Sequence, residues 1–395
     1  MHRGLQGHYI ITTVFDESVK AFVPASLPPQ PKIDWTPTLR RKFEQAQACI
    51  GKLYGVSRLL EEENLGLSLL VRVLMRKEAQ LSSMIEGTQS SLSDLLRFEA
   101  GEELTDHRAD VIEVRNYTKA LDHGLQRVKK DNFPICSRLL REMHSILLAE
   151  GRGQDKQPGE FRSSQNWIGG TRPANATFVP PPSNLIGESM SNLENFLHDD
   201  SEESATVLEK AALAHLQFET IHPFLDGNGR IGRLLITLLL CDRDYLNEPV
   251  LYLSYYFKVK RTEYYRLLNQ VRLEGDWESW LGFFADAVIV TTQQMLNAIE
   301  RLKILVDKHK TILEPLGQVS ISAKQVLNAL VELPIASSNY LVKQTKLTPP
   351  TVNKVLDRLR ELGIVKELTK QRRNRIYSYH EYMSILEEGT EPYED

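Results

Sequence analysis

Residues 221–233 read I-H-P-F-L-D-G-N-G-R-I-G-R and run straight into L-L-I-T-L-L-L-C. The second part is apolar apart from Thr237 and ends at Cys241. It is much shorter than the ~20 residues a membrane span needs, so it is predicted as a helix buried on all sides. The first part is a loop leading directly into that helix. Pro223 biases His222 away from helical backbone, so the preceding helix stops and His222 is presented at the loop start. Gly227 and Gly229 carry minimal bulk and tolerate positive φ.

The chemistry of this loop is dense. Backbone N–H groups of a glycine loop at a helix N-terminus form an anion site. Arg230 and Arg233, three residues apart, share one face of the helix's first turn. Two guanidinium groups beside such a nest suit a polyphosphate better than a single carboxylate. Asp226 would be repelled by phosphates unless a cation sat between them, which makes it a natural Mg²⁺ ligand. His222 is the obvious general base for a hydroxyl nucleophile. Together these parts point to phosphoryl or nucleotidyl transfer. A bare glycine turn with incidental arginines is the alternative.

Elsewhere the pattern is mostly helical. Residues 1–36 read as an extended proline-rich arm, with one short strand at 9–15 and Pro24, Pro28, Pro29 and Pro31. Thr36-Pro37 has the form of an N-cap followed by proline at the first helical position. Helices are predicted over 37–53, 65–82, 110–128 and 135–148. Residues 151–182 hold five prolines and two short strands, W-I-G-G-T-R and T-F-V, around a turn. Helices return at 183–197, 204–219, 230–240, 260–272 and 277–313, with Pro315 as the stop for the last. His215, on the second of these, reads as a satisfied core histidine. Residues 319–383 read as three helices with a basic β-hairpin at 370–375, a winged helix-turn-helix.

Charge is uneven along the chain. The net charge is −4, yet 317–380 carries eleven Lys/Arg against four Asp/Glu, and 381–395 carries six acids and no base. Cys49, Cys136 and Cys241 are scattered and odd in number, which argues against a disulfide framework or a zinc site. The first residues show no apolar signal-peptide core. A reducing, cytoplasmic setting is expected.

The segment H-P-F-L-D-G-N-G-R-I-G-R resembles the Fic-family motif H-P-F-x-(D/E)-G-N-G-R-x-x-R without a departure. Residues 159–162, G-E-F-R, and 167–182 resemble that family's upstream flap. Residues 252–257 and 264–277 resemble the helices behind its site. The resemblance implies a mainly α, Fic-type helical bundle with a β-hairpin flap, plus the C-terminal winged helix. The implied divisions are the arm 1–36, a helical region 37–130, a catalytic core 131–290, a connecting helix 291–318, the winged helix 319–383 and an acidic tail 384–395.

The implied activity is AMP transfer from ATP, with Mg²⁺, to a Ser, Thr or Tyr hydroxyl of a target protein or of the chain itself. By position, His222 would deprotonate the hydroxyl and Asp226 would hold Mg²⁺. Gly227, Asn228, Gly229, Arg230, Ile231, Gly232 and Arg233 would form the nucleotide site, with Arg233 on the γ-phosphate. Gly229 stands where the kinase-like Doc branch has lysine, which favours AMP over phosphate as the transferred group. Trp167, Ile168, Gly169, Gly170, Thr171 and Phe178 would dock the target by strand addition. Tyr265 and Leu268 are candidates for an adenine pocket, with plain core packing as the alternative.

From the residues alone, Glu86 is a surface acid beside a helix-ending glycine. Ser82, Glu86 and Gly87, however, resemble the family's inhibitory motif (S/T)-x-x-x-E-(G/N). The resemblance implies that Glu86 pairs with Arg233 and restrains the enzyme. Two other readings stay open: transfer or removal of another nucleotide or phosphate group, and a nucleotide-sensing DNA-binding regulator in which Lys354, Arg358, Arg360, Arg372, Arg373 and Arg375 meet the duplex. No membrane partner is expected, and a homo-oligomer is among the expected assemblies.

Overall fold

In the computed structural model of this chain, residues 3–14, 16–62, 67–102, 106–201, 204–369 and 375–391 are described. Strands β1 (Gly7–Val14) and β2 (Glu17–Pro24) open the chain, followed by helices α1 (Pro37–Glu62), α2 (Leu67–Ile85), α3 (Leu92–Glu99), α4 (Arg108–Leu125) and α5 (Ser137–Leu147). Then come α6 (Ile186–Leu197), α7 (Val207–Ile221), α8 (Asn228–Asp242), α9 (Ser254–Val259), α10 (Arg261–Glu274) and α11 (Trp277–Leu313). The chain closes with α12 (Gln318–Glu332), β3 (Ile335–Ser337), α13 (Ser338–Thr345), α14 (Pro349–Glu361), β4 (Lys366–Glu367), β5 (Ile376–Ser378) and α15 (His380–Glu387). The fold is mainly helical with small antiparallel sheets. It divides into two compact units, one of Met1–Lys52, Asn116–Pro249 and Tyr256–Val290, the other of Leu53–Arg115, Val250–Tyr255 and Thr291–Asp395.

The first unit is built on α7 and α8. Thr206 and Glu209 form a reciprocal capping box that starts α7, which is why it begins at Val207 rather than at 204. Helix α8 is buried on all sides, as its apolar run requires: Leu234, Leu235 and Leu238 are fully buried. Each such side chain contributes roughly 1.5–3 kcal/mol on leaving water. Gly232 lets α8 lie close on α7, because a Cβ there would stand 2.8 Å from the Glu219 Oε1 and 3.2 Å from the His215 Nδ1.

The N-terminal arm differs from its expected form. It is a hairpin of two eight-residue strands in register Gly7↔Pro24 to Val14↔Glu17, not one short strand. The alternation of β-branched and aromatic residues around Asp16, at φ 62°, accounts for it. Val14, Val19 and Ala21 form a small core with Val179, against which Trp167 and Ala176 pack.

In the second unit, α12 packs on α13 and α14, and also on α2. Strands β3, β5 and β4 form one antiparallel sheet in the order β3-β5-β4, and β3 meets α3. Helices α3 and α15 were not foreseen; both are short and sit in stretches with strong turn or acidic character. Residues 370–374, the expected basic turn, lie outside the described residues, and Arg372 and Arg373 with them. No helix among the described residues is long and apolar enough to cross a membrane.

His215 is fully buried among Phe257, Tyr264 and Trp280, with its Nε2 2.9 Å from the Tyr264 hydroxyl. Burial lowers its pKa to about 3. The unfolded chain binds that proton near ~6.5, so stability is intact above that pH and falls as pH drops towards 3. The unfolding free energy of the wild type relative to His215→Gln is expected to fall by about 3 kcal/mol between pH 7 and pH 4, read by urea denaturation. Parallel pH profiles for the two proteins would contradict it.

Candidate active site

Helix α7 ends at a left-handed residue. His222 has φ 50° and ψ 61°, and its N–H still donates to the Phe218 carbonyl at 2.9 Å. A non-glycine residue in this region costs roughly 1–2 kcal/mol. The loop around it supplies the offset. Arg162, 2% exposed, donates from Nε to the His222 carbonyl at 2.9 Å and from Nη2 to the Pro181 carbonyl at 2.6 Å. Its Nη1 reaches the Ser164 carbonyl at 3.1 Å, and its own N–H donates to the Pro223 carbonyl at 2.9 Å. Burial lowers the guanidinium pKa to about 10, so it stays charged at neutral pH.

The loop closes on itself through Asn228. Its Oδ1 accepts the Phe224 N–H and its Nδ2 donates to the Phe224 carbonyl, both at 2.8 Å. The Asn228 side chain therefore braces the turn; only its backbone belongs to the mouth of α8. Gly227, at φ 74°, is the N-cap. The first intrahelical bond runs from the Ile231 N–H to the Gly227 carbonyl at 3.0 Å, so the amides before it point out of the helix start, where the dipole favours an anion.

Asp226 accepts the Gly227 N–H at 2.6 Å and lies 3.7 Å from the Arg230 Nη2. His144, fully buried on α5, donates from Nε2 to the Asp226 carbonyl at 3.0 Å, because its Nδ1 is taken by the Gly159 N–H at 2.9 Å. Burial lowers the His144 pKa to about 4, and its ring stacks on Phe224 at 3.8 Å. Gly153 (φ 86°) approaches the carboxylate so closely that a Cβ would stand 2.9 Å from the Asp226 Oδ2. Among the described residues no cluster of three acidic, histidine or cysteine side chains forms a cage for a metal. One half-exposed carboxylate beside the outward amides of α8 fits Mg²⁺, an ion that is commonly held by one or two carboxylates.

Other predicted residues fall as follows. Arg230 and Arg233 are buried, at 2% and 3% exposure, on α8. Gly229 is half-buried in the first turn, and Gly232 is the contact glycine against α7. The Ile231 and Leu268 side chains are core, at 0% and 3% exposure, whereas Tyr265 on α10 is 40% exposed. The flap forms a single antiparallel bridge, Ile168↔Phe178, rather than two strands. Gly169 and Gly170 take positive φ, and the Asn175 side chain accepts the Thr171 N–H at 3.0 Å. Hairpin strand β2 extends this bridge, with the Phe22 N–H on the Val179 carbonyl at 2.9 Å. Trp167 is half-buried and Gly169, Gly170 and Thr171 are exposed. Arg272 fixes the flap's far side, its guanidinium 3.8 Å from the Phe178 ring centre and bonded to the Thr220 hydroxyl at 3.0 Å.

In the second unit, the Gly87 N–H donates to the Met84 carbonyl at 3.1 Å and the Thr88 N–H to the Ser83 carbonyl at 3.3 Å. This is a Schellman end for α2, with Gly87 at φ 96°. Ser82 is fully buried, and Glu86 is an exposed side chain at the helix cap.

Residues 40–126 match the Fic/DOC family N-terminal domain and residues 134–240 the Fic/DOC family domain. The chain carries both Fic/DOC domains. The 168 residues aligned with "Protein adenylyltransferase Fic" of Drosophila grimshawi are 34% identical, covering 42% of this chain and 32% of the relative. "Protein adenylyltransferase fic-1" of Caenorhabditis briggsae is 28% identical over 178 residues, again 42% and 32%. This chain thus spans about a third of the length of these curated relatives. A Fic family protein from Desulfovibrio desulfuricans G20 shares the fold over 89% of this chain and 98% of its own, with a TM-score of 0.57 at 22% identity. A Fic domain containing signaling protein from Bacteroides thetaiotaomicron VPI-5482 covers 63% and 94%, with a TM-score of 0.51 at 20% identity.

The sequence assigns His144 no role, and it places Arg162 and Arg272 only within the segments 159–162 and 264–277, without their contacts. Each holds a carbonyl or hydroxyl at least 52 residues away, which no local spacing exposes. Replacing Arg162 with Met would leave several buried carbonyls without donors, so unfolding stability is expected to fall by about 3 kcal/mol or more. Arg162→Lys should recover only part of it, since one ammonium cannot match the planar fork. A loss under about 1 kcal/mol in chemical denaturation would show that the carbonyls find other donors.

Proposed function

We propose that this Fic chain transfers AMP from ATP to a hydroxyl of a target protein or of itself. The observation that carries the reading is the arrangement of the 222–233 loop: a histidine held in left-handed backbone one loop away from a helix N-terminus that also bears two buried arginines. In the reaction, the target oxygen attacks the α-phosphorus in line. A bond forms between that oxygen and phosphorus, and the bond to the bridging oxygen of the β-phosphate breaks. The hydroxyl proton passes to His222, and pyrophosphate leaves. The outward amides of α8, Arg230 and Arg233 would carry the phosphate charge. Asp226 would hold Mg²⁺, which supplies charge neutralisation on the phosphates. The exposed flap residues 169–171 would take the target's backbone by strand addition.

Regulation by Glu86 belongs to the same proposal. The Ser82–Gly87 match and the Schellman end that fixes Glu86 as an exposed cap support it. A carboxylate taking the γ-phosphate's place on Arg233 would misplace the α-phosphate, and a shift of about 1 Å can cost on the order of 10²-fold in rate. A cytoplasmic location fits the three free cysteines.

The winged-helix reading of 319–383 is also a proposal, and DNA binding its weaker part. Arg358 pairs with Glu361 at 2.8 Å, Arg360 with Glu367 at 3.2 Å and Arg375 with Asp357 at 3.7 Å, so carboxylates already engage the arginines that would meet phosphates.

Labelled ATP with Mg²⁺ is expected to give weak self-labelling by the wild type, more with Glu86→Gly and none with His222→Ala. Intact mass should show a gain equal to AMP. Equal labelling in all three proteins, or a gain matching another group, would overturn the reading.

A further inference from the structure

Helix α2 carries Glu86 at its end, and the second unit fastens that helix to the C-terminal segment of the chain. Lys77, 4% exposed on α2, donates from Nζ to the Glu388 carbonyl at 2.7 Å and lies 4.9 Å from the Tyr252 ring centre. The Glu388 carboxylate is gripped by both terminal nitrogens of Arg301 on α11, at 2.6 Å each. Ser93 on α3, the helix that follows Glu86, donates to the Glu387 carboxylate. Gly389, at φ 80°, lies so close to Tyr255 that a Cβ would stand 2.4 Å from the ring. Thr390 is 7% exposed, and its N–H and hydroxyl both donate to the Glu387 carbonyl. The segment borders a cavity of about 260 Å³ lined by Lys77, Tyr252, Tyr255, Asn297 and Arg301.

A segment as acidic as 387–391 has no intrinsic reason to be ordered, since like charges favour an extended, solvated chain. Here five consecutive contacts order it. Lys77 explains why the arrangement holds: a buried ammonium requires an acceptor, and the Glu388 carbonyl of this segment supplies one. The bidentate Arg301 contact fixes the carbonyl's position, and the glycine lets the backbone pass over Tyr255. If the segment leaves, Lys77 must hydrate, and α2 loses a fastening two to three turns before Glu86.

We infer that 387–390 is a strap that holds α2, and with it Glu86, in the restraining position, and that unseating the strap activates the enzyme. The inference rests on the AMP-transfer reading and on Glu86 as the restraint. It is an intrachain control within one unit.

The test uses the full chain with Arg301→Glu, the charge-swapped double variant Arg301→Glu/Glu388→Arg, Gly389→Val and Glu86→Gly. Two readouts run side by side: AMP self-labelling, and amide hydrogen exchange over α2. Arg301→Glu and Gly389→Val are expected to raise labelling about threefold or more and to speed exchange in α2, and the double variant to return both towards wild type. Raised labelling by Glu86→Gly alone, with the strap variants at wild-type labelling and exchange, would reduce the strap to a structural chain end. Failure of Glu86→Gly to label would reject the transferase reading, while the exchange arm still decides whether the strap fastens α2.

Discussion

One buried cation governs the geometry of the loop. Arg162 collects the carbonyls of Ser164, Pro181 and His222, which belong to the flap's two ends and to the terminus of α7. Arg272 lies at the same helix end, bonded to Thr220 and the Glu219 carbonyl. The last turn of a helix exposes carbonyls and carries partial negative charge, so two guanidinium groups there are favourable. They also permit His222 to adopt a left-handed backbone that an isolated chain would avoid. The histidine's position is thus an electrostatic consequence of arginines that arrive from outside the motif.

The first half of this arrangement was legible in the sequence. Pro223 ends α7, the glycines open the turn, and the apolar run that follows has to be buried; each of these is local, and local chemistry is what a single sequence carries. The long-range half was not. His144 reads as an ordinary helical residue until the fold sets it against the Asp226 carbonyl and the Phe224 ring. Arg162 stands in a proline-rich loop where the nearest acid, Glu160, pairs with Arg141 instead, and its own partners are carbonyls. Asn228 was read as part of an anion site, while its side chain is spent on the Phe224 peptide. The arm at 7–24 was underestimated because prolines at 24–31 suggested irregular backbone throughout, yet the β-branched residues before them pair over eight positions.

The division into two units changes how control of the site is to be pictured. His222 and the buried arginines belong to one unit, whereas Glu86 ends a helix of the other. In that other unit α2 is packed by α12 and tied to 387–390, and α3 is met by β3. On the proposed reading, a restraining glutamate on such a helix inherits the stability of everything fastened to it. Exposed salt bridges alone contribute little. A buried lysine whose acceptor lies in the C-terminal segment contributes more, because losing the acceptor leaves an ammonium in a site that was built around it.

The burial of Arg230 and Arg233 bears on why a carboxylate is a suitable restraint at all. At 2% and 3% exposure, neither guanidinium can rely on bulk water for solvation. A charge this deep is tolerated only where anionic or carbonyl oxygens surround it. Asp226, 3.7 Å from Arg230, is one such oxygen source within the loop itself. On the proposed reading, ATP brings phosphate oxygens to the same arginines and competes with carboxylates that satisfy them at rest. The exchange on that reading is of one anion for another at guanidinium groups already withdrawn from bulk water. On that reading a single glutamate suffices as the restraint, because the arginines it would meet are already buried among oxygen acceptors rather than water.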